Sequence, residues 1–243
     1  MKEAPGALFV VIPAYNEAKT VGRVVQKVQT CLPHARVLVV NDGSRDNTGR
    51  AAREAGAWVI DLPVNMGYGV ALQTGLMFAH RNRAEYVVTL DADGQHDPAD
   101  IPQLLAPVAS ALADIALGSR YLEGGARYAV PIARRLGSWL FAGLASALMH
   151  CKITDPTTGF QCLNATALGL CVSLPDFPEK TPDVDMILYA HFHGCRIREV
   201  PVPMYEDEGH DSMHGFVDSL FYAPKMILAV IGIVLAKFGT NER

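Results

Sequence analysis

Short apolar runs alternate with longer segments of mixed polarity through the first half of the chain. The runs fall at residues 8–12, 36–40, 58–62 and 86–90 and are rich in β-branched residues, which is typical of buried strands. Between the first two runs, residues 14–30 carry valines at helical spacing. Apolar strands that alternate with single helices predict an α/β fold with a mostly parallel central sheet and helices on both faces.

Weaker patterns predict the remaining elements. Pro13 is expected to end the first strand, and residues 155–168 are expected to form a loop followed by a helix. Further elements are expected along the chain: helices at residues 50–55, 70–80 and 98–112, and a strand at residues 114–122.

Composition excludes several classes of protein. With 243 residues, of which 50% are hydrophobic, the chain can bury a sizeable core. A net charge of −4 gives no basic field, so nucleic acid is not an expected partner. Five cysteines at irregular spacings, without a CxxC pair, argue against a zinc or redox site and fit a reduced, cytoplasmic protein. The first residues contain Glu3 and Pro5 and do not resemble a secretion signal.

Two longer apolar runs stand apart from the predicted strands, at residues 136–149 and 226–236. Both are shorter than the roughly 18 to 20 residues that span a bilayer comfortably. Lys225 and Lys237 flank the second run, a pattern typical of a helix that lies in a membrane interface. Two core helices are the alternative interpretation.

Two carboxylates, Asp91 and Asp93, stand where the run at residues 86–90 ends. The carboxyl ends of parallel strands line the crevice in which α/β proteins bind ligands. Spaced two residues apart at such an exit, two carboxylates can share one divalent cation, Mg²⁺ or Mn²⁺, and leave positions open for substrate phosphates. A solvated acidic turn at Gly94 is the alternative.

Two other predicted strand ends carry groups that suit a nucleotide. Tyr15 and Glu17 follow the first strand, and an aromatic ring beside a carboxylate suits a nucleobase and a ribose. Asp42 follows the second strand, where it can accept from a base N–H or a ribose hydroxyl or can simply form a turn. Gly67 and Gly69 do not make the G-x-G-x-x-G fingerprint, so a nicotinamide-binding fold is not indicated.

Five motifs, VIPAYNEAKTV, VVNDGSRDNT, NMGYGVALQTG, TLDADGQHDPADI and LGSRY, occur in this order. They closely resemble the motifs of glycosyltransferase family 2. Within that family the best likeness is to the dolichol-phosphate mannosyltransferase and polyprenyl-phosphate glycosyltransferase group, over roughly residues 8 to 205. The resemblance implies a GT-A type nucleotide-sugar-binding fold and a glycosyltransferase activity.

The resemblance also implies which residues bind the donor, a UDP- or GDP-linked sugar. The nucleoside would be held by Pro13, Ala14, Tyr15, Glu17 and Asp42. Mg²⁺ or Mn²⁺ would be held at the diphosphate by the DAD motif, in which Ala92 separates the two acids, and by one further oxygen. These metal ligands would be Asp91, Asp93 and Gln95.

On the acceptor side, Arg120 would neutralise phosphate charge near the sugar, and Arg134 and Ser138 would contact a lipid phosphate. The implied reaction is inverting transfer of the sugar to a polyprenyl or dolichyl phosphate. Such an acceptor is already an anion near pH 7, so positioning by arginines would supply most of the acceptor-side catalysis. A hydroxyl of a saccharide or small molecule would instead need a carboxylate base, for which Asp183 and Asp185 are candidates. Acids that stabilise a helix N-terminus are the alternative for these two.

Asp93, Arg120 and Asp185 are therefore the expected catalytic residues. We expect a glycosyltransferase domain over residues 1–215, divided into a nucleotide-binding half at 1–122 and an acceptor half at 123–215. A membrane-associating helix is expected within residues 216–243. The enzyme would attach peripherally to the cytoplasmic membrane, and a homo-oligomer is compatible with the sequence. A nucleotide-sugar-binding module without turnover is the alternative of another class, and the intact acid pair and Arg120 argue against it.

The sequence departs from the resembled group at two places. After the VPV segment that group carries an Arg and a Ser-Lys, whereas this chain has Tyr205 and Met213 at about those positions, with His210 and His214 nearby. Gln161 stands where the group usually has an arginine after Gly-Phe. Both departures suggest a sugar or acceptor other than mannose and dolichol.

Overall fold

The computed structural model of the protein describes residues 7–122, 142–149, 151–174, 177 and 183–205. Within these ranges the strands are β1 (Leu8–Ala14), β2 (Arg36–Asn41), β3 (Trp58–Asp61), β4 (Tyr86–Thr89), β5 (Ile115–Ser119), β6 (Gln161–Asn164) and β7 (Ile197–Pro201). The helices are α1 (Val21–Cys31), α2 (Thr48–Glu54), α3 (Tyr68–Arg81), α4 (Ile101–Ala109), α5 (142–149), α6 (Ala165–Val172) and α7 (Asp183–Phe192).

The strands form one sheet in the order β3-β2-β1-β4-β6-β5-β7. The pairs β2–β3, β1–β2, β1–β4 and β5–β7 are parallel, whereas β6 runs antiparallel to both of its neighbours. The predicted α/β fold with a mostly parallel sheet is confirmed. Because β6 comes from the second half of the chain, the two predicted halves share this sheet.

Helices cover both faces of the sheet, as the apolar strands predict. Successive strand residues point to opposite faces, and in β1 they join different cores. Phe9 and Val11 pack in a core with residues of α3, α5, α6 and α7. Val10 and Ile12 pack in a second core with residues of α1, α2 and α4. Burial on both faces explains why β1 lacks an alternation of polar and apolar residues.

Pro13 does not end the first strand, contrary to the sequence prediction, since β1 continues to Ala14. The Val11 carbonyl accepts from the Leu90 N–H on the β4 side, and the Ala14 carbonyl accepts from the Asp42 N–H on the β2 side. By this alternation the Pro13 nitrogen faces the β4 side, where the pairing has already ended at Val11. The N–H that proline lacks therefore costs no ladder hydrogen bond.

Two other predicted elements need correction. Residues 155–168 contain the strand β6 between the loop and the helix. This strand has only four residues, with polar side chains at both ends, and the pairing on both of its sides stabilises it. The helix predicted at residues 98–112 divides into a 3₁₀ turn at Pro98–Asp100 and α4. It ends before Ala111, whose φ of 55° is left-handed.

The apolar run at residues 136–149 is described only over α5, and the run at 226–236 lies outside the described residues. In α5, Ala145 and Met149 are buried in the core that also contains α3. This part of the run therefore packs against the domain. In the portion of the chain that the structure describes, no helix is long and apolar enough to cross a bilayer.

Candidate active site

The predicted site residues gather at the edge of the sheet where the parallel strands end. β1, β2 and β4 end there, and the segments that follow carry Tyr15, Asp42 and Asp91. Because β6 is antiparallel to β4, its amino end brings the loop at residues 154–160 to the same edge. α7 precedes β7, which is parallel to β5, so the first turn of α7, with Asp185, lies toward this edge.

The loops that follow β1 and β2 are tied together by hydrogen bonds between backbone and side chains. The Asn16 N–H donates to Ser44 Oγ at 2.9 Å, and the Arg45 N–H donates to Asn16 Oδ1 at 2.8 Å. The Glu17 N–H donates to Thr48 Oγ1 at 2.7 Å. Asn16 has a φ of 58°, which asparagine tolerates better than most residues. The two loops therefore form one structural unit.

Four of the predicted nucleoside residues lie at the β1 side of this unit. Pro13 and Ala14 are buried at the end of β1, and Tyr15 and Glu17 are half-buried in the loop. The Glu17 carboxylate accepts from the Thr20 hydroxyl at 2.7 Å, just before α1. The structure brings the four residues together, and their contact with a nucleoside stays a prediction.

Asp42 is buried and holds the turn that precedes α3. Its Oδ1 accepts from the Met66 N–H at 2.7 Å, and its Oδ2 accepts from the Gly67 N–H at 2.9 Å. Gly67 has φ 97° and ψ 155°, a conformation that is essentially restricted to glycine. Asp42 therefore has a structural role in the segment before α3, 24 residues further along the chain. Its predicted contact with a base or ribose would use the remaining lone pairs and stays a prediction.

The two acids of the DAD motif are half-buried at the end of β4. Asp91 Oδ1 accepts from the Tyr68 hydroxyl at 3.2 Å. Asp93 Oδ1 accepts from the Gln95 N–H at 2.9 Å, and the Gln95 carbonyl accepts from the Tyr205 N–H at 2.9 Å. The loop is therefore fixed by its own acid and by the segment after β7.

The donor set at this loop fits a divalent cation. Asp91 and Asp93 offer hard carboxylate oxygens, and Gln95 can add an amide oxygen, which suits Mg²⁺ or Mn²⁺. Among the described residues, no group of three or more His, Cys, Asp or Glu side chains could hold a metal. Two carboxylates and one amide oxygen would leave positions on such a cation for phosphate oxygens of a ligand.

Arg120 lies in a buried ion pair. Its Nε and Nη2 donate to the Asp155 carboxylate at 2.6 and 3.0 Å, and its Nη1 lies 3.6 Å from the Met204 sulfur. Glu199 extends the network, because its carboxylate accepts from the backbone N–H groups of Thr154 and Asp155 at 2.8 and 2.7 Å. These contacts give Arg120 a structural role that the sequence did not predict. Its contact with a phosphate stays a prediction.

Asp185 is only 4% exposed. Burial raises the pKa of this carboxyl to about 6. Its Oδ1 has no hydrogen-bond partner among the described residues. Asp185 therefore has the environment of a weakly acidic group that can take up a proton near neutral pH. The side chain of Asp183, the other candidate base, lies outside the described residues.

The other predicted acceptor-side residues also lie outside the described part of the chain: Arg134, Ser138, His210, Met213 and His214. Gln161, which stands in place of an arginine, is buried at the start of β6. Its Nε2 donates to the Thr158 carbonyl at 2.8 Å. Its Oε1 has no partner among the described side chains and backbone.

Several residues of the site were not predicted from the sequence: Tyr68, Thr89, Asp155, Gly159 and Glu199. Gly159 is the least obvious of these. A methyl group at its Cα would lie 2.8 Å from Asp91 Oδ2 and 3.0 Å from the Tyr68 hydroxyl oxygen. For Tyr68, the sequence did offer a signal, since this residue is the tyrosine of the GYG segment at residues 67–69. It begins α3 at the same edge of the sheet.

A mixed α/β sheet with a carboxylate pair after its central strand is the arrangement expected of a GT-A type glycosyltransferase. The sequence profile of the family described as Glycosyl transferase family 2 matches residues 9–168, and the chain belongs to that family. It is 31% identical over 216 residues to an undecaprenyl-phosphate mannosyltransferase from Micrococcus luteus, covering 86% of this chain and 88% of that protein. It is 32% identical over 215 residues to a polyprenol monophosphomannose synthase from Mycolicibacterium smegmatis. The match covers 85% of this chain and 81% of that protein.

A further relative is a dolichyl-phosphate hexose transferase from Haloferax volcanii, 30% identical over 237 residues, which cover 97% of this chain and 95% of that protein. Among solved structures, the fold is similar to glucosyl-3-phosphoglycerate synthase from Mycobacterium tuberculosis in complex with Mn²⁺, UDP and phosphoglyceric acid. The TM-score is 0.72 at 21% identity, over 97% of this chain and 79% of the other. This likeness confirms the GT-A fold.

Proposed function

We propose that the protein transfers a sugar from a UDP- or GDP-linked donor to a polyprenyl or dolichyl phosphate, with inversion at the anomeric carbon. The observation that carries the proposal is the pair of half-buried carboxylates, Asp91 and Asp93, after β4. In the sheet, β4 lies between β1, which leads into the nucleoside-side loops, and β6, which follows the loop at residues 154–160. A diphosphate joining a nucleoside to a sugar would lie across this position.

The donor nucleoside binds at the unit formed by the loops after β1 and β2. Tyr15 offers an aromatic face to the base, and Glu17 and Asp42 offer carboxylate oxygens to N–H or hydroxyl groups. Pro13 and Ala14 form the floor at the end of β1. The hydrogen bonds between the two loops support this assignment, because they hold the binding groups in place before the donor arrives.

Asp91, Asp93 and Gln95 would hold Mg²⁺ or Mn²⁺, which neutralises charge that develops on the departing diphosphate. Ala92 is buried between the two acids, so both carboxylates leave the strand from a fixed backbone. Support for the metal comes from the open oxygen-donor site and from solved structures of a protein with the same fold, which contain Mn²⁺ or Mg²⁺ with UDP.

The acceptor in this proposal is a lipid monophosphate. The relatives named for transfer to undecaprenyl, polyprenol and dolichyl phosphates support this class of acceptor. The phosphate oxygen is already an anion and attacks without a strong base, so the protein needs mainly to hold it near the sugar. Arg134 and Ser138 would bind the phosphate, and Arg120 would add a contact through the N–H groups that it does not direct at Asp155.

A hydroxyl acceptor is the second candidate, and one observation favours it. Asp185 is buried with a raised pKa of about 6 and an oxygen that has no partner within the described segments, as a general base for a hydroxyl would require. The two candidate acceptors predict that different substitutions abolish transfer. The hydroxyl version predicts that Asp185→Asn abolishes transfer and Arg134→Ala is mild, and the lipid-phosphate version predicts the reverse order.

A lipid acceptor also requires the enzyme to work at a membrane surface. We propose that it is cytoplasmic and attaches peripherally to the inner face of the cytoplasmic membrane through residues 136–149 and 216–237. The second run and the lysines at its ends support this attachment. In the first run, Ala145 and Met149 pack in the core, so only the opposite, exposed face of α5 could take part.

The test is a screen of radiolabelled UDP- and GDP-sugars with Mn²⁺ and a short polyprenyl phosphate, followed by extraction into organic solvent. We expect label in the organic phase with at least one donor, and loss of this label when EDTA removes the metal. Label that stays in the aqueous phase with every donor would contradict the lipid acceptor. An aqueous product formed with added saccharides would favour the hydroxyl version.

A further inference from the structure

The carboxylate of Asp91 contacts a residue that no motif assigns to metal binding. The hydroxyl of Tyr68, the first residue of α3, donates to Asp91 Oδ1 at 3.2 Å. The two residues are 23 positions apart and lie on different elements. Tyr68 is half-buried.

The backbone that carries Tyr68 is fixed on both sides. Before it, the buried Asp42 accepts from the N–H groups of Met66 and Gly67, and Gly67 adopts a conformation essentially restricted to glycine. After it, Leu72 anchors α3 in the core beneath β1. The position of the tyrosine hydroxyl therefore follows from the fold and does not depend on a flexible loop.

Gly159 closes another side of the same carboxylate. A methyl group at its Cα would lie 2.8 Å from Asp91 Oδ2, 3.0 Å from Asp91 Oδ1 and 3.0 Å from the Tyr68 hydroxyl oxygen. The Gly159 carbonyl accepts from the Thr89 hydroxyl at 2.6 Å, which holds this backbone against the end of β4. Only a glycine leaves space for the carboxylate and the hydroxyl to meet.

We propose that Tyr68 and Gly159 are positioning residues that orient the Asp91 carboxylate toward the metal at the donor diphosphate, an inference that rests on the proposed function. Hydrogen bonds from residues behind a ligating carboxylate fix its orientation, and their loss commonly lowers metal affinity by about 10- to 100-fold. The distance of 3.2 Å is long for a hydroxyl–carboxylate bond. We therefore expect an effect of about tenfold for the hydroxyl.

Tyr68→Phe tests the hydroxyl, with Tyr189→Phe as the matched control. Tyr189 is also half-buried, but its hydroxyl makes no hydrogen bond to the described residues. The Mn²⁺ affinity of each purified protein is measured by electron paramagnetic resonance with saturating UDP and then with GDP. We expect binding about tenfold weaker in Tyr68→Phe and unchanged in the control. The Mn²⁺ concentration for half-maximal transfer should rise in the same ratio, while the rate at saturating Mn²⁺ changes much less.

Gly159→Ala tests the space beside the carboxylate, with Gly143→Ala in α5 as the matched control. A methyl group at Gly143 would have no heavy atom within 4 Å. Gly159 does not have a left-handed φ, so alanine can adopt its backbone conformation, and thermal unfolding should stay close to that of the wild type. We expect Gly159→Ala to weaken Mn²⁺ binding at least as much as Tyr68→Phe, because the methyl group displaces the carboxylate.

Unchanged Mn²⁺ affinity in Tyr68→Phe and Gly159→Ala, in a protein whose wild type binds Mn²⁺ with a nucleoside diphosphate, would overturn this inference and leave the proposed function in place. Weaker binding in Gly159→Ala alone would overturn the role of the Tyr68 hydroxyl. A wild-type protein that binds Mn²⁺ with neither nucleotide would overturn the metal site of the proposed function, and this inference with it.

Discussion

The two sides of the sheet edge are stabilised by different kinds of interaction. On the side of β1 and β2, the loops are held by hydrogen bonds from backbone N–H groups to the hydroxyls of Ser44 and Thr48 and to the carboxylates of Asp42 and Asp46. On the side of β5 and β7, the loop at residues 154–160 is held by buried charges. Arg120 pairs with Asp155 there, and Glu199 accepts from the backbone at the start of the loop.

This difference predicts different sensitivities. A neutral hydrogen bond contributes about 1 kcal/mol and does not titrate near pH 7. A buried ion pair adds little net stability, but the loss of one partner costs about 3–5 kcal/mol because it leaves a buried charge alone. Burial also raises the pKa of Glu199 and, to about 6, that of Asp185. Because the raised pKa values lie on the acceptor side, that side should respond to pH above about 4 more than the donor side does.

The largest effect on sugar transfer is expected at the proposed metal site after β4, which lies between the two sides. Asp93→Asn keeps an oxygen that can accept from the Gln95 N–H but removes the charge. Because the metal supplies several kcal/mol of charge stabilisation, we expect transfer to fall by about three orders of magnitude, measured as label incorporated per minute. Asp97→Asn is the matched control, since Asp97 lies in the same segment and pairs with the exposed Lys27. Normal turnover in Asp93→Asn would contradict the assignment of this acid.

The next largest effect tests the charges on the acceptor side. Asp155→Asn leaves Arg120 buried without its counter-ion, so the free energy of unfolding should fall by about 3–5 kcal/mol, measured by urea denaturation. The exposed pair of Arg50 and Glu54 on α2 supplies the control, because Arg50→Ala should leave the urea midpoint nearly unchanged. Equal urea midpoints for Asp155→Asn and Arg50→Ala would contradict the claim that buried charges hold the loop at residues 154–160.

Asp185 provides the pH test. Its pKa is raised by burial to about 6 in the folded protein from 3.8, so the folded state binds the proton more tightly than the unfolded state. The contribution of Asp185 to stability should therefore fall as pH rises from about 4 to about 6, by on the order of 3 kcal/mol. Asp185→Asn should remove this loss and be more stable than the wild type at pH 8. Parallel stability–pH curves for the two proteins would contradict the raised pKa.

The smallest effect is expected on the donor side. Thr48→Val removes the buried hydroxyl that accepts from the Glu17 N–H and donates to the Asp46 carboxylate, and it should cost about 1–2 kcal/mol in urea denaturation. The KM for the nucleotide sugar should rise a few-fold. Thr30→Val on the exposed face of α1 is the control, where a surface substitution should change stability by less than about 0.5 kcal/mol. A loss of stability in Thr48→Val as large as that in Asp155→Asn would contradict the difference between the two sides.

The sequence predicted the sheet well because the strands are buried on both faces. Residues 8–12 and 37–40 are apolar throughout, and such runs identify β1 and β2 with little ambiguity. β6 was missed because its four residues are stabilised by pairing with β4 and β5, which lie far away in the sequence. Local patterns carry no information on such pairing.

The site residues likewise divide into those that local sequence patterns identify and those that depend on contacts between distant segments. Asp91 and Asp93 were identified because strand ends place acids at a known edge, and the structure locates them there. The ion pair of Arg120 with Asp155 joins residues 35 positions apart, so neither periodicity nor a local motif could select the partner. The same holds for Tyr68, whose contact with Asp91 depends on how α3 packs across β1.

The central claim is that a divalent metal binds the two acids after β4 together with the donor diphosphate. A crystal soaked with Mn²⁺ and UDP or GDP, measured for manganese anomalous scattering, tests it most directly. We predict an anomalous peak within bonding distance of the Asp91 and Asp93 carboxylates and of the diphosphate oxygens. Nucleotide density at the loops after β1 and β2 without manganese at these acids would contradict the claim.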